Sequence, residues 1–472
     1  MPETAGSHDA GSPREVAPRA VIVRFAAVPA LRPFRALRYA PEQVGDLAAV
    51  IAPPYDVIGP EAYRRLLARD PRNVVRLDLP EELPGDPEDE RYRRAARLLT
   101  TWRTDGTLHR DPRPAIYPYE QTYTVPGTER AATRRGIFAR VGLEPFGPGS
   151  GIRAHERTLA APREDRYRLL RATGVNTSPV VGIGADATGT VAAWLRSCAA
   201  TPPVSDALDA DGVRHRLWMV PLGEDDAGAA ATTALDRLSA SAITIADGHH
   251  RYETALRYAD ERRTGPVLEE SPAWADILML ILEPEEGGLT VLPTHRVLLG
   301  LDPVALATAV DRLSELFHVQ PVDRREQLID ACGGSSGAVG GEGRFGVWAA
   351  GRGAILRAKR DAFERWLPDG GPAVRRLDVT LASVAIERLA GIDPSAVADG
   401  RIAFTMSAAE AVDWVDGAVA PITGLPAAAA LLLDPTPAAE IVAVAADGDV
   451  MPQKSTYIYP KAITGLVINP LE

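Results

Sequence analysis

The pattern of apolar and polar residues predicts strands and helices that alternate along the whole chain. Its clearest change of period lies at residues 241–259, SAITIADGHHRYETALRYA. Residues 243–245 are β-branched and predict a short buried strand. Asp247 and Gly248 end that strand. From His249 onward the apolar residues recur at helical spacing, so we predict a strand, a tight turn and a helix.

The same reasoning predicts elements on both sides of this stretch. Before it we expect helices from Gly59-Pro60 and over 92–102, a strand over 73–77, and a hairpin of 114–125 with 133–144. After it we expect strands at 277–282, within 289–299, at 345–349 and at 353–358, with helices near 302–316 and 378–390. The glycine-rich run at 332–343 predicts a flexible loop, because no phosphate-loop lysine follows its glycines.

These elements predict an α/β (α+β) protein with a mixed central sheet. Residues 1–19 have no apolar core and predict a disordered lead-in, and order is expected to begin with a strand at Ala20. We expect a core over 20–265 and a C-terminal α/β portion over 266–472 that packs onto it.

Composition narrows the class of function. The 472 residues are 46% hydrophobic and 24% charged, as in ordinary globular proteins. A net charge of −11 argues against a nucleic-acid groove, and no apolar run is long enough for a membrane helix. Cys198 and Cys332 form neither a disulfide framework nor a metal-binding spacing. We therefore expect a cytoplasmic protein that acts on small molecules; its oligomeric state is left open.

The turn at 248–251 has the chemistry of a phosphate site. A strand that ends at a glycine and continues as a helix presents unpaired backbone N–H groups at the positive end of the helix dipole. His249, His250 and Arg251 stand in the first turn, and a guanidinium can hold phosphate oxygens in pairs. The alternative is an ordinary surface helix with polar residues in its first turn.

The same residues carry a resemblance. Gly248-His249-His250-Arg251 has the G-x-x-R form found at a helix start in ParB-like, sulfiredoxin-like and free-serine-kinase proteins, where it holds nucleotide phosphates. The string IADGHHRYETAL resembles the hallmark of a bacterial and archaeal domain-of-unknown-function family. The resemblance implies a ParB/sulfiredoxin-like phosphate-binding core within the sheet. Sulfiredoxins carry a cysteine in this turn where His249 stands here, so thiol chemistry has no nucleophile.

Four further segments resemble that uncharacterised family: PPYDVI (53–58), HERT (155–158), PTHR (293–296) and MPQKSTYIYPK (451–461). They fall in loops or at the ends of elements, where functional side chains concentrate. We expect the five segments to share one cleft, with the following side chains converging on it: Asp56, His155, His249, Arg251, His295 and Lys454. The alternatives are a turn cap for Asp56, a surface ion cluster for 155–158 and a lysine-guarded strand edge for 454–461.

These residues predict a phosphotransferase that uses a nucleotide (ATP or ADP) or a pyrophosphate-type donor, with Mg²⁺ as cofactor. Resemblance to free-serine kinases implies L-serine as the first candidate for the acceptor. Asp56 or Asp247 would take the hydroxyl proton or bind the metal, and Glu156 is a further catalytic candidate. Donor phosphates would be held by Gly248, His249, His250, Arg251 and Lys454. The acceptor would be bound by His155, His295, Arg296, Ser455 and Thr456.

Two other functions stay open. A ParB-like nucleotide-binding regulator would use the same turn, but it predicts a helix-turn-helix or basic stripe, and neither is evident. A metal-dependent hydrolase could use His249 and Glu253, four residues apart on one helix face, with His155 or His295 as a third ligand.

Overall fold

The computed structural model describes residues 28–147, 149–156, 160–263, 272–284, 289–332, 342–393, 399–417 and 424–472. The expected lead-in over 1–19, residues 20–27 of the expected first strand and residues 333–341 of the glycine-rich run lie outside these ranges, as do Arg157 and Thr158 of the second segment. Within the described ranges, no helix has the length and apolar character needed to span a bilayer.

The first part of the chain, up to residue 282, contains a large sheet of ten strands, three short strands outside it and the helices around it. Its strands are β1 (Leu31–Arg32), β2 (Leu37–Tyr39), β3 (Leu108–Arg110), β4 (Ala115–Thr124), β5 (Ala131–Gly142), β6 (Ile152–Arg153), β7 (Val175–Asn176), β8 (Val180–Ile183), β9 (Ser205–Leu208), β10 (Arg214–Leu217), β11 (Val220–Pro221), β12 (Ile243–Asp247) and β13 (Asp276–Leu282). Its helices are α1 (Pro41–Val44), α2 (Leu47–Val50), α3 (Pro60–Arg69), α4 (Val75–Asp78), α5 (Glu90–Thr104), α6 (Ala160–Thr173), α7 (Thr190–Ala199), α8 (Asp226–Ser239) and α9 (His249–Arg262).

The second part of the chain contains a smaller sheet of six strands and three short strands outside it. Its strands are β14 (Thr290–Leu292), β15 (His295–Leu299), β16 (Phe317–Val322), β17 (Arg344–Ala349), β18 (Arg352–Ala358), β19 (Ile402–Thr405), β20 (Ala427–Leu433), β21 (Tyr457–Tyr459) and β22 (Asn469–Pro470). Its helices are α10 (Pro303–Asp311), α11 (Leu313–Leu316), α12 (Arg325–Cys332), α13 (Arg360–Phe363), α14 (Pro372–Arg376), α15 (Asp378–Ala390), α16 (Ala408–Asp416) and α17 (Ala438–Ala446).

The large sheet is mixed, as the sequence predicts. Its strands follow the order β6-β12-β8-β13-β5-β4-β10-β9, with β1 paired to β5 and β11 to β4. Strand β12 is parallel to β6 and antiparallel to β8, and β13 is parallel to β8 and antiparallel to β5. The expected hairpin of β4 and β5 is present. Because β13 lies at the centre of this sheet, the sheet continues past residue 265, where we expected the core to end.

Strand β13 shows why both faces of the sheet are covered. Its sequence, DILMLIL, is apolar throughout, as in strands buried on two sides. Met279 and Ile281 face a core that includes Tyr252 of α9, while Leu278 and Leu280 face a core that also contains Leu298 of β15. The large sheet therefore lies between its own helices and the second part of the chain.

The small sheet is antiparallel, with the order β16-β18-β17-β20-β15-β19. After α17 the chain returns to the first part: β21 pairs with β14, β22 pairs with β7, and Ile468 and Thr464 bridge to Leu37 and Ala52. The last segment of the chain thus packs against both parts of the molecule.

One predicted element is wrong. Residues 73–77, expected as a strand, lead into the short helix α4. The cause is Asn73, whose Oδ1 accepts from the N–H of Val75 while its Nδ2 donates to the carbonyl oxygens of Ala49 and Ile51. A buried side chain that caps the next turn overrides the β propensity of the two valines that follow it.

Candidate functional site

The strand, turn and helix at 243–262 form as predicted. Gly248 is the N-cap residue of α9 with φ 90° and ψ 25°, in the left-handed region that glycine adopts without strain. Among the described residues, no side chain caps the start of this helix. A β-bulge between Ile245 and Asp247 of β12, opposite β8, re-aims the end of the strand. We name Gly248–Arg251 the GHHR turn.

Arg251 folds back over this turn. A Cβ placed on Gly248 would lie 2.9 Å from its Nε, so any larger residue there would displace the guanidinium. Its Nη2 donates to Asp247 at 2.8 Å and its Nη1 donates to the carbonyl oxygen of Pro179. The side chain is 10% exposed, and its Nε is buried with no partner among the described residues. Arg251 thus fixes the turn through Nη1 and Nη2, while its Nε–H has no acceptor among the described residues.

Asp247 is the anion at the centre of the site. Its Oδ1 accepts from Lys461 Nζ at 2.6 Å and its Oδ2 from Arg251. Burial alone would raise the pKa of Asp247, but the charges of Lys461 and Arg251 outweigh it and hold that pKa far below its usual range. Burial would likewise lower the pKa of Lys461, and the carboxylates Asp247 and Asp56 raise it instead.

This geometry argues against two roles expected of Asp247. A carboxylate with a strongly depressed pKa is a poor general base. Since each of its oxygens already bonds a cationic group, it is also poorly placed to bind Mg²⁺. Asp247 acts instead as the residue that positions Arg251 and Lys461.

Two buried histidines lie behind the turn. The rings of His155 and His249 contact edge to face with centroids 4.7 Å apart, and the N–H of His155 donates to His249 Nε2 at 3.4 Å. His155 Nδ1 lies 2.5 Å from the carbonyl oxygen of Ile245, so Nδ1 carries the proton and Nε2 accepts from the hydroxyl of Thr456. Burial lowers the pKa of both rings. They are neutral packing residues of the site, and they tie β12 to the last segment of the chain.

Residues 155–156 and 451–454, from two of the predicted segments, meet beside the start of α9. The N–H of Met451 donates to His155 O at 2.8 Å, and the N–H of Lys454 donates to Glu156 Oε1 at 3.1 Å. Lys454 itself is exposed and has φ 54°, an uncommon conformation for a residue with a side chain. Burial lowers the pKa of His250, and the charges of Glu156 and Lys454 act on it as well.

The PPYDVI turn completes the site. Tyr55 packs its ring 4.1 Å from the guanidinium carbon of Arg166, which fixes the turn. Asp56 beside it is exposed, and its charge acts on both His250 and Lys461. The structure therefore brings together residues from four of the five segments: Asp56, His155, Glu156, Asp247, Gly248, His249, His250, Arg251, Lys454 and Thr456. Ser455 is buried in the same segment, where its carbonyl accepts from Thr436.

The fourth segment leads into the small sheet. His295 and Arg296 are buried in β15 of the small sheet. His295 Nδ1 accepts from the N–H of Leu433, and burial lowers its pKa to about 4, which makes it a neutral core residue. Its strand pairs on both sides with strands of the small sheet, and no described contact joins His295 to the GHHR turn, so its place in a single cleft stays a prediction. Arg296 lines a separate cavity.

The expected metal alternative finds no support. Among the described residues, no group of three or more His, Cys, Asp or Glu side chains could hold a metal ion. Glu253, the expected partner of His249, pairs with Arg163 at 2.8 Å. His249 uses its Nε2 as an acceptor for a backbone N–H. These contacts leave the proposed ligand set without a shared centre.

Sequence reasoning missed two cations of the site. The sequence pattern assigns no role to Lys461, at the end of the 451–461 segment, or to Arg134 of β5. Arg134 is buried beneath the site, where it donates to Gln121 and to the carbonyl oxygen of Pro460, and Gln121 in turn donates to Lys461 O. Burial lowers the pKa of Arg134 to about 10. No local signal distinguishes Arg134, because its strand also contains Thr133, Arg135 and Arg140.

Comparison with known proteins gives one family and several distant structures. The model of a family described as "Protein of unknown function (DUF1015)" matches residues 31–380. No curated protein matches the sequence. Similar solved structures include a free serine kinase variant in complex with ADP (10% identity, TM-score 0.31, 65% of this chain and 84% of that one). Others are a conserved hypothetical protein from Pyrococcus furiosus (13%, 0.31, 66% and 89%) and C-terminally truncated SbnI from Staphylococcus aureus (12%, 0.33, 71% and 87%). TM-scores this low do not establish a shared fold.

Proposed function

The chain belongs to the DUF1015 family, and because that family's description names no activity, we propose from the site itself that the protein is a small-molecule phosphotransferase. The observation that carries the proposal is the GHHR turn: a left-handed glycine, a helix start without a side-chain cap, and a buried guanidinium with an unused donor over it. The donor is a nucleotide or a pyrophosphate-type compound, which fits a cytoplasmic protein. The turn would correspond to a ParB/sulfiredoxin-like phosphate-binding core.

The donor phosphates lie on the first turn of α9. The backbone at the start of α9 faces them, and Gly248 allows the close approach. Lys454, exposed at the mouth of the site, adds a mobile charge. Arg251 contributes its Nε and keeps the turn in place through Asp247 and the backbone of residue 179. Phosphoryl transfer depends mainly on such positioning and charge neutralisation.

The acceptor hydroxyl loses its proton to Asp56. Asp56 is an exposed carboxylate beside the turn, whereas Asp247 is held as an anion between two cations. As the acceptor oxygen bonds to the transferred phosphorus, the bond to the leaving phosphate oxygen breaks and the proton passes to the carboxylate. Asp56 and Glu156 are also the carboxylates that could hold a Mg²⁺, which would neutralise phosphate charge. L-serine is the first acceptor to test, because the GHHR turn resembles that of free-serine kinases.

Binding is tested by calorimetric titration of ATP, ADP, CTP and pyrophosphate, with and without magnesium. Arg251→Lys is compared with Arg263→Lys, an exposed position at the other end of the same helix. We expect wild type and Arg263→Lys to bind at least one phosphate compound, and Arg251→Lys to bind it about tenfold or more weakly, since each charge-assisted bond contributes about 1.5–3 kcal/mol. Equal binding by both variants, or no binding by wild type, would contradict the phosphate site.

Transfer is tested separately with γ-labelled ATP and L-serine. Asp56→Asn should keep the donor affinity and lose most of the transfer, because its amide cannot accept the proton. A wild-type protein that binds nucleotide but labels neither serine nor any other small hydroxyl compound is a nucleotide-binding regulator rather than a kinase.

A further inference from the structure

A second cavity lies in the other part of the molecule. Its volume is about 650 Å³, large enough for a small organic ligand. Arg296 of β15 and Phe404 of β19 form one side, and residues of α15 form another. The segment Met451–Gln453 closes it toward the GHHR site.

Arg296 is an unusual residue for such a position. It is 2% exposed, and its Nη1 is buried without a partner among the described residues. The ring of Phe404 lies beside it, with its centroid 6.0 Å from the guanidinium carbon. A buried cation without an anion is costly, so a protein that keeps one at a cavity wall has a use for it.

Three carboxylates line the cavity, Asp369, Glu387 and Asp449, and among the described residues none of them forms an ion pair with Arg296. Asp449 accepts from the N–H of Gly371 at 2.7 Å, and Glu387 pairs with Arg388 at 3.3 Å. The pKa of Arg296 falls to about 10 through burial, with no contribution from any carboxylate. Thr380 of α15 adds a second buried polar atom without a partner, its hydroxyl, in the same wall.

Apolar side chains form much of the rest of the wall, beside the polar residues Asp369, Ser383 and Gln453. Ile402 and Phe404 extend it along β19, Val384 and Ile386 extend it along α15, and Met451 adds a flexible thioether. A ligand that satisfies this surface has one anionic group for Arg296 and a hydrocarbon body for the remainder. An inorganic anion would satisfy Arg296 and leave the apolar wall uncovered.

We propose that this cavity is a second ligand site, which binds a small organic carboxylate through Arg296 and packs its hydrocarbon part against Ile402, Phe404 and Met451. The site is separate from the phosphate site but shares a wall with it, since the N–H of Met451 bonds to His155. The hydroxyl of Thr380 accepts or donates a further hydrogen bond to the ligand. The proposal does not rest on the phosphotransferase activity.

Calorimetry and thermal melting with four matched probes test it: 4-methylpentanoate, L-leucine, 4-methylpentan-1-ol and inorganic phosphate. We expect 4-methylpentanoate to bind wild type and raise its melting temperature, because ligand binding to the native state stabilises it by mass action. The alcohol, which has the same body without the charge, should bind at least tenfold more weakly. If L-leucine binds as tightly as 4-methylpentanoate, the carboxylate that the site recognises belongs to an amino acid. If inorganic phosphate binds at Arg296 and neither 4-methylpentanoate nor L-leucine binds, the assignment is overturned.

Arg296→Met separates a ligand-binding arginine from a structural one. We expect it to lose 4-methylpentanoate binding while its melting temperature stays equal to or above that of wild type, because an unpaired buried charge has been removed. Arg357→Gln, at an exposed position of β18, is the control and should bind normally. Unchanged binding by Arg296→Met would overturn the proposal.

Ser383→Phe is a second variant that keeps Arg296 and fills the cavity from α15. It should also lose the carboxylate, and if it binds as wild type does, the ligand is not in this cavity. Arg251→Lys should bind the carboxylate as wild type does. The phosphate site and the carboxylate site are therefore tested in separate titrations.

Discussion

Lys461 Nζ lies 2.6 Å from Asp247 Oδ1, although 214 residues separate the two in the chain. The other oxygen of the same carboxylate bonds Arg251, so one aspartate joins the GHHR turn to the last segment. Lys461 Nζ also lies 4.4 Å from the ring centroid of Tyr457, which holds its stem in place. All three charged side chains are at most 14% exposed. The site is thus assembled by a buried ionic triad rather than by local sequence.

Asp247→Asn should be strongly destabilising. Removing one partner from a buried ionic group leaves uncompensated charge and typically costs about 3–5 kcal/mol in the free energy of unfolding. Here two cations, Lys461 and Arg251, would lose their anion at once. Asp206→Asn is the control, since Asp206 pairs with Arg214 on the surface and should cost about 0–1 kcal/mol. Urea unfolding of both variants measures the difference; equal midpoints would contradict the role assigned to Asp247.

The GHHR turn was predictable because its determinants are local. Strand, glycine and helix follow one another within 20 residues of sequence, and the structure has them in place. Lys461 and Arg134 were not predictable as members of the site, because their positions depend on how β21 and β5 pair with the distant strands β14 and β13. The burial of His295 in β15 was missed for the same reason. Its segment has polar residues after an apolar strand, but those residues continue into a second buried strand.

Three buried histidines predict a loss of stability on mild acidification. Burial lowers the pKa values of His155, His249 and His295 in the folded protein. Below about pH 6.5 the unfolded chain therefore takes up protons that the folded protein does not, and stability falls as the pH falls toward the folded values. Each such proton contributes up to about 1.4 kcal/mol per pH unit.

His155→Gln should reduce this slope, because it removes one of the histidines whose pKa burial lowers, a set that also includes His250. Urea unfolding at pH 7.5, 6.0 and 5.0 gives the slope for each protein. His318→Gln, at an exposed position of β16, is the matched control and should keep the wild-type slope. A slope that is the same in all three proteins would show that His155 is not held neutral.

Both cysteines should be dispensable for ligand binding. Burial raises the pKa of the Cys198 and Cys332 thiols to about 11, so neither supplies a thiolate near neutral pH. Cys198 lies on α7 and Cys332 ends α12, and neither contacts the GHHR turn or lines the Arg296 cavity. We expect the double variant Cys198→Ala, Cys332→Ala to keep phosphate and carboxylate affinities within about twofold. A folded double variant that binds neither ligand contradicts this.

Gly248→Ala should abolish phosphate binding for a reason beyond backbone strain. Its φ of 90° costs a residue with a side chain about 1–2 kcal/mol, and the new Cβ would also meet Arg251 Nε at 2.9 Å. Gly189 offers a matched control, because it is also a left-handed N-cap, with φ 70°, but has no atom within 4 Å of its Cβ position. Gly189→Ala should therefore lose a similar amount of stability from strain and keep wild-type affinity for pyrophosphate. Gly248→Ala should lose more stability, since the displaced guanidinium leaves Asp247 and Pro179, and it should bind pyrophosphate at least tenfold more weakly. If the two variants bind alike, the contact between Gly248 and Arg251 is irrelevant to the phosphate site.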